Sequence, residues 1–254
     1  MSGESGNREL AGTAAVVTGS NRNIGRAIAL ALADAGAAVV INAHRSRDLA
    51  EAVAKEVGDA GGRAMVHMAD VTVPDQAAGL IQAAVDEFGG LDFLINNVAV
   101  RKQTPMVDTS YEDWREVMTS ILDSTFLCTH AAIPHLIESR RGAIVNLGGV
   151  SGFAGVADRS HVATAKAGIA GMTGSLAVEL APHNITVNCI SPGHITTSHD
   201  DGVPRHFRDR VAPLGRPGTV EEISSTARFL CGPGARYITG ETIHVNGGWY
   251  INIA

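Results

Sequence analysis

The chain has 254 residues, a formal net charge of −6, 45% hydrophobic and 18% charged residues. Such a chain can bury a sizeable core, which excludes an intrinsically disordered protein. The acidic balance and 4% aromatic content exclude a general basic footprint for nucleic acid or anionic membrane, and a stacking platform for single strands.

Seven β-rich runs follow in order: "TAAVVT" (13–18), "AAVVIN" (37–42), "RAMVHM" (63–68), "LDFLIN" (91–96), "GAIVNL" (142–147), "ITVNCI" (185–190) and "TIHVN" (242–246). Their near-continuous hydrophobicity predicts burial on both faces, as in a parallel sheet. Helical patterns lie between them, among them "IGRAIALALADAG" and "DLAEAVAKEVGDAG", the second ending in a glycine suited to a helix C-terminus. The alternation predicts right-handed βαβ units in a doubly wound α/β sheet. No repeat or composition shift divides the chain, so residues 1–254 are read as a single domain. The polar stretch "HITTSHDDGVPRHFRDRVAPLGRPG" (194–218) follows the sixth strand. Loops longer than about 12–15 residues are usually functional, and ligands bind beyond the carboxyl ends of such strands, so 194–218 is expected to be a substrate lid.

Cys128, Cys189 and Cys231 lack CxxC spacing and read as buried thiols in a reducing compartment. The opening "MSGESGNREL" carries no apolar signal core, and no run reaches transmembrane length. A cytoplasmic protein without a metal centre is expected.

"AVVTGSNRNIGRAIA" places a glycine-rich turn between the first strand and first helix, where backbone N–H groups and the helix N-terminus can hold a pyrophosphate. From about residue 10 onward the chain resembles the short-chain dehydrogenase/reductase family. That family's TGxxxGxG turn is matched by Thr18, Gly19, Asn23 and Gly25, with asparagine at the middle glycine; asparagine tolerates left-handed backbone better than most residues. Its NNAG motif is matched by Asn96, Asn97, Val98 and Ala99, its adenine-contacting pair by Asp70 and Val71, and its proline–glycine turn by Pro192, Gly193, Ile195 and Thr197. The resemblance implies a Rossmann-type sheet of about seven strands. It implies cofactor contacts from Gly19, Asn21, Arg22, Asn23, Ile24, Gly25 and Asn97, and from Lys166 through the nicotinamide ribose. An acid after the second strand would bind the ribose diol of NAD, but "VVINAHRSRD" offers His44 and Arg45 instead. Arg45 with Arg22 suits a 2′-phosphate, so NADP(H) is the expected cofactor.

The resemblance also implies a catalytic asparagine, serine, tyrosine and lysine. Lys166 is in place, while Ile121, Gly149 and Val162 stand at the other three positions. Hydride delivery to a ketone creates a basic alkoxide that needs a proton, and valine and glycine give none. His161, His194, Ser151 and Asp123 are the candidate substitutes, the histidines for their near-neutral pKa. The segment around His161, Ala165 and Lys166 is similar to one in dienoyl-CoA reductases of the family, which also lacks tyrosine. An NADP(H)-dependent oxidoreductase reducing a conjugated C=C bond or an activated or aromatic ketone is therefore expected. A non-redox cyclase, isomerase or dehydratase, or a non-catalytic nucleotide sensor, are the competing readings. A homotetramer, associating through helices spanning 111–138 and 158–181 and the C-terminal segment, is implied by the family. A small-molecule substrate is expected, with neither nucleic-acid nor membrane partners.

Overall fold

Val, Ile and Ala runs between turn residues favour extended backbone packed on both faces. All seven runs form strands in the computed structural model, which describes residues 8–198 and 212–251. These are β1 (Ala14–Val17), β2 (Ala38–Ala43), β3 (Arg63–Met68), β4 (Phe93–Asn96), β5 (Ala143–Leu147), β6 (Thr186–Pro192) and β7 (Thr242–Val245). They make one parallel sheet in the order β3-β2-β1-β4-β5-β6-β7. The direction of winding reverses between β1 and β4, the crevice where open α/β sheets bind ligands. Continuous burial holds for β1, β2, β4 and β5. The edge strands β3 and β7 are half-exposed instead, each having a neighbour on one side only.

Among the described residues seven α-helices cover the sheet: α1 (Asn23–Asp34), α2 (Arg47–Asp59), α3 (Pro74–Phe88), α4 (Tyr111–Met118), α5 (Ser124–Ser139), α6 (Ser160–Leu180) and α7 (Val220–Cys231). Successive strand residues point to opposite faces. Val17, Ile41 and Ile95 accordingly pack with α1, α2 and α7, while Val16, Val40 and Leu94 pack with α3, α5 and α6. Truncating one of these, such as Leu94→Ala, costs about 2–5 kcal/mol. Each cysteine sits in a different apolar cluster: Cys231 on the first face, Cys128 on the second, Cys189 in a third cluster beneath α6.

The helix expected over 111–138 is broken. Thr119–Asp123 forms a π-helical turn between α4 and α5. There the Ser124 hydroxyl donates to the Ser120 carbonyl (2.8 Å) and Thr125 to Ile121 (2.7 Å), contacts that draw carbonyls away from the α ladder. Among the described residues, no helix is long and apolar enough to cross a membrane.

Candidate active site at the carboxyl edge of the sheet

The glycine-rich turn is held from both flanks. On one side Asn97 donates its backbone N–H to Thr18 Oγ1 (2.9 Å) and its amide Nδ2 to the Thr18 and Gly19 carbonyls (2.9 and 3.1 Å). On the other, Asn42 Oδ1 accepts from the Gly19 N–H (3.0 Å), while its Nδ2 donates to the His67 and Ala69 carbonyls, both at 3.2 Å. A side chain at Gly25 has no room, since a Cβ there would lie 2.4 Å from the Gly19 carbonyl oxygen and 2.6 Å from Asn97 Nδ2. Asn23 adopts the left-handed backbone, φ 50°. Its Oδ1 accepts from both the N–H (3.0 Å) and the hydroxyl (2.8 Å) of Ser198. Arg22 is exposed at the N-cap of α1, with Asn21 and Ile24 half-buried beside it.

Arg45 and His44 are exposed beyond β2. Both lie near Asp70, with His44 Nε2 at 3.6 Å from its Oδ2. Burial works to raise the Asp70 pKa, but hydrogen bonds from Thr72 and the nearby His44 and Arg45 charges hold it below the usual carboxylate value. Val71 is buried next to it. At the far side Gly193 packs against Asn246, where a Cβ would meet Asn246 Cβ at 2.7 Å. Ile195 bridges to Gly218, and Thr197 is half-buried one residue before Ser198. The two roots of the expected lid are thus pinned together, whereas its interior, 199–211, lies outside the described residues.

Lys166 is buried on α6, and its Nζ donates to the Leu147 carbonyl at 2.6 Å. Burial pushes its pKa down to about 8, with the Arg159 charge acting the same way. Val162, one turn earlier, packs with Ile121, Met118, Ile169 and Cys189 in a wholly apolar contact between the π-turn, α6 and β6. The space at Gly149 is open: a Cβ would have only Ser151 Oγ (3.9 Å) and Lys166 Cγ (4.0 Å) for neighbours. Ser151 therefore presents its hydroxyl close to where a residue-149 side chain would project.

The other expected substitutes separate. Asp123 stands on the outer side of the π-turn, accepting from Thr119 Oγ1 (2.9 Å) and facing Arg115 (3.5 Å); two residues past Ile121, it lies on another face of the helix. The His161 ring is fully buried, and neither nitrogen has a hydrogen-bond partner. Burial lowers its pKa first, Arg159 second; its charged neighbours are Arg159, Asp113 and Lys102 rather than Lys166. That direction matches its place five residues before Lys166 on a 3.6-residue turn. His194 is half-buried, its pKa lowered by burial and then by Arg101. Asn42 and Arg159 were not singled out by sequence. The signal for Asn42 was a lone amide in an otherwise apolar strand.

A cavity of about 580 Å³ lined by Arg8, Arg63, Asp92 and Arg141 lies at the opposite, amino-terminal edge of the sheet, away from these residues. The cradle at Gly19 and Gly25, closed to any Cβ and rimmed by arginines, fits a dinucleotide at the switch point.

A doubly wound sheet carrying this turn, with a buried helix lysine bonded to the last carbonyl of its fifth strand, defines a dinucleotide-binding oxidoreductase scaffold. Residues 19–250 match the family model described as Enoyl-(Acyl carrier protein) reductase, and the chain belongs to the short-chain dehydrogenase/reductase family. It is 38% identical over 240 residues to the 3-oxoacyl-[acyl-carrier-protein] reductase FabG of Staphylococcus aureus, covering 93% of this chain and 98% of that one. It is 39% identical over 246 residues to the reductase of the same name from Vibrio cholerae, covering 95% and 99%. Among solved structures it is similar to a short-chain dehydrogenase/reductase from Serratia marcescens (TM-score 0.90, 32% identity, 95% and 99% coverage). A short chain dehydrogenase from Burkholderia cenocepacia, solved in complex with NADP, superposes with TM-score 0.88 at 32% identity, covering 94% and 98%.

Proposed function

We propose that the protein is an NADP(H)-dependent reductase of a small carbonyl compound, acting on a C=C bond conjugated to the carbonyl or on an activated ketone, without a catalytic phenol. The observation that carries this reading is the juxtaposition of an intact cofactor cradle and buried Lys166 with the apolar contact of Val162 and Ile121. The 3-oxoacyl group named for the curated relatives is itself a ketone activated by a neighbouring acyl carbonyl, and that chemical class is retained here.

Bound at the turn, NADP(H) would supply the hydride. Gly19, Asn21, Asn23, Ile24, Gly25 and Asn97 would hold its pyrophosphate end, Arg22 and Arg45 the 2′-phosphate, and Asp70 and Val71 the adenine. Pro192, Gly193, Ile195 and Thr197 would border the nicotinamide. Lys166, mostly protonated at pH 7 with its pKa about 8, would hold positive charge toward the ribose and the substrate oxygen. Ser151 donates its hydroxyl to the substrate carbonyl in place of a residue-149 side chain. Hydride addition leaves an enolate from the conjugated C=C bond or an alkoxide from the ketone; a water positioned by His194 gives the proton, and the hydroxide so formed takes one from bulk solvent. His161 and Asp123 have no role in this scheme. No specific observation favours the cyclase, isomerase, dehydratase or sensor readings.

The reading is tested by following NADPH absorbance with α,β-unsaturated and β-keto thioesters or esters. Turnover by the wild type, lowered about tenfold or more in His194→Ala at unchanged NADPH affinity, supports it. NADPH binding without consumption by any such compound removes it. A cytoplasmic homotetramer is part of the proposal. The exposed apolar residues Tyr111, Phe126 and Val178 on α4, α5 and α6 support association there, and light scattering giving a monomer mass at micromolar concentration would contradict it.

A further inference from the structure

Asn23 stands where the family's glycine-rich turn has its middle glycine, and its backbone is held left-handed, φ 50°. Glycine takes that conformation freely, whereas a residue with a side chain is strained there. What the side chain adds is a long-range contact. Its Oδ1 accepts from the N–H (3.0 Å) and the hydroxyl (2.8 Å) of Ser198, 175 residues away in sequence. Glycine has no acceptor for either donor.

Ser198 ends a segment whose other end is anchored at β6. The Gly193 N–H donates to the Val245 carbonyl (3.2 Å), the Gly218 N–H to His194 (2.9 Å) and the Thr196 N–H to Gly218 (2.9 Å). Residues 193–198 thus lead from the end of β6 to the turn after β1, and β5 and β4 lie between those strands in the sheet. Three inter-strand spacings of about 4.8 Å come to about 14 Å, while five residues at about 3.3 Å each reach about 17 Å. The segment therefore crosses the carboxyl edge with little slack, over the crevice between β4 and β1. A dinucleotide held by the glycine-rich turn at one end and bordered by Pro192 and Gly193 at the other would follow the same course.

We propose that residues 193–198 are a strap across the bound dinucleotide, fastened by the contact of Asn23 with Ser198, and that this contact must break before NADP(H) leaves. Ser198 is then a positioning residue that acts on the cofactor through Asn23. The side chain at the family's glycine position turns a bare phosphate cradle into one that closes over its ligand, so that cofactor release becomes the step the strap controls. The inference rests on the cofactor placement proposed above and is independent of which bond is reduced.

The test is stopped-flow fluorescence on the full chain loaded with NADPH and mixed with excess NADP⁺, which reads the release rate directly. Ser198→Ala removes the hydroxyl bond and should speed release about threefold; Asn23→Gly removes both bonds to Ser198 and should speed it about tenfold. Ser198→Thr keeps both donors and should stay within about twofold of wild type. The double variant Asn23→Gly with Ser198→Ala should release no faster than Asn23→Gly alone, because the shared contact is already gone. That non-additivity separates the strap from a direct loss of cofactor contact at Asn23. Ser198 is exposed, so its two variants report even if Asn23→Gly fails to fold. Wild-type release from Ser198→Ala, equally fast release from Ser198→Thr, or effects that multiply in the double variant would each overturn the proposal. Strap-dependent release from a protein that consumes no NADPH with any carbonyl compound would uphold it while removing the reductase reading. NADPH consumption with release indifferent to Ser198 would do the reverse.

Discussion

The two sides of the switch point are built from different materials. Beside β1 and β2 the backbone is fixed by side-chain amides: Asn42 and Asn97 between them hold Thr18, Gly19, His67 and Ala69. Beside β6, where α6 meets α4 and the π-turn, contact is made by Val117, Met118, Ile121, Val162 and Ile169. A buried hydrogen-bond network loses heavily when one member changes, because its partner is left unsatisfied. An apolar contact accepts exchange of one hydrocarbon for another at modest cost. The cofactor side is thus locked, while the reaction side is free to change its chemistry on an unchanged frame.

Breaking the locked side should give the largest effect. Gly25→Ala drives a methyl into the Gly19 carbonyl and should cost about 3 kcal/mol in stability and at least about a hundredfold in NADPH affinity, measured by thermal melting and calorimetry. An alanine variant that binds NADPH normally would show that the turn is looser than its geometry implies.

The buried charge that joins the two sides comes next. Burial lowers the Lys166 pKa from 10.5 to about 8, so between those values the unfolded chain holds the extra proton and stability rises with pH. At pH 7 the folded protein carries the full cost of a buried ammonium, relieved as pH climbs from about 8 toward 10.5. Lys166→Met should therefore stabilise the cofactor-free protein by about 2–3 kcal/mol at pH 7, allowing for the lost bond to Leu147. The gap should close near pH 10; a pH-independent gap would place the proton elsewhere.

The reaction side yields the third expectation. Val162→Tyr with Gly149→Ser adds hydroxyls at two positions where the resemblance implies them, but the tyrosine must enter a packed contact while the serine meets open space. The double variant should lose about 1–3 kcal/mol of stability and most native turnover, yet bind NADPH within about threefold of wild type. A variant that keeps native turnover and becomes an efficient carbonyl reductase would mean the site is a drifted one rather than a rebuilt one. The smallest effect is at the exposed rim. Arg45→Ala should lower NADPH affinity about tenfold and leave NADH affinity unchanged, because only the 2′-phosphate is lost as a partner.

The sequence carried the sheet well, since runs such as "AAVVIN" can bury both faces only as inner parallel strands. It carried the glycine turn too, even to the left-handed Asn23. The π-turn was not legible, because a one-residue slip leaves hydrophobic spacing almost unchanged and depends on how Ser124 and Thr125 settle against their neighbours. His161 read as a candidate acid from residue type alone; only packing reveals a ring enclosed with neither nitrogen bonded. Arg159 went unnoticed because arginine before a helix usually signals a solvated surface.

The three cysteines give the molecule an internal clock. Burial pushes the Cys128 thiol up to about 12 and raises Cys189 and Cys231 as well, so thiolate is scarce at neutral pH and alkylating reagents find nothing to attack while the fold is closed. Each sulfur becomes reactive only when its own cluster opens. Labelling at Cys231 times exposure of the α1–α7 face, and labelling at Cys128 that of the α3–α5 face. Labelling at Cys189 times the loosening of the layer under Lys166, so three reaction rates from one native sample separate breathing of the site from unfolding of the whole.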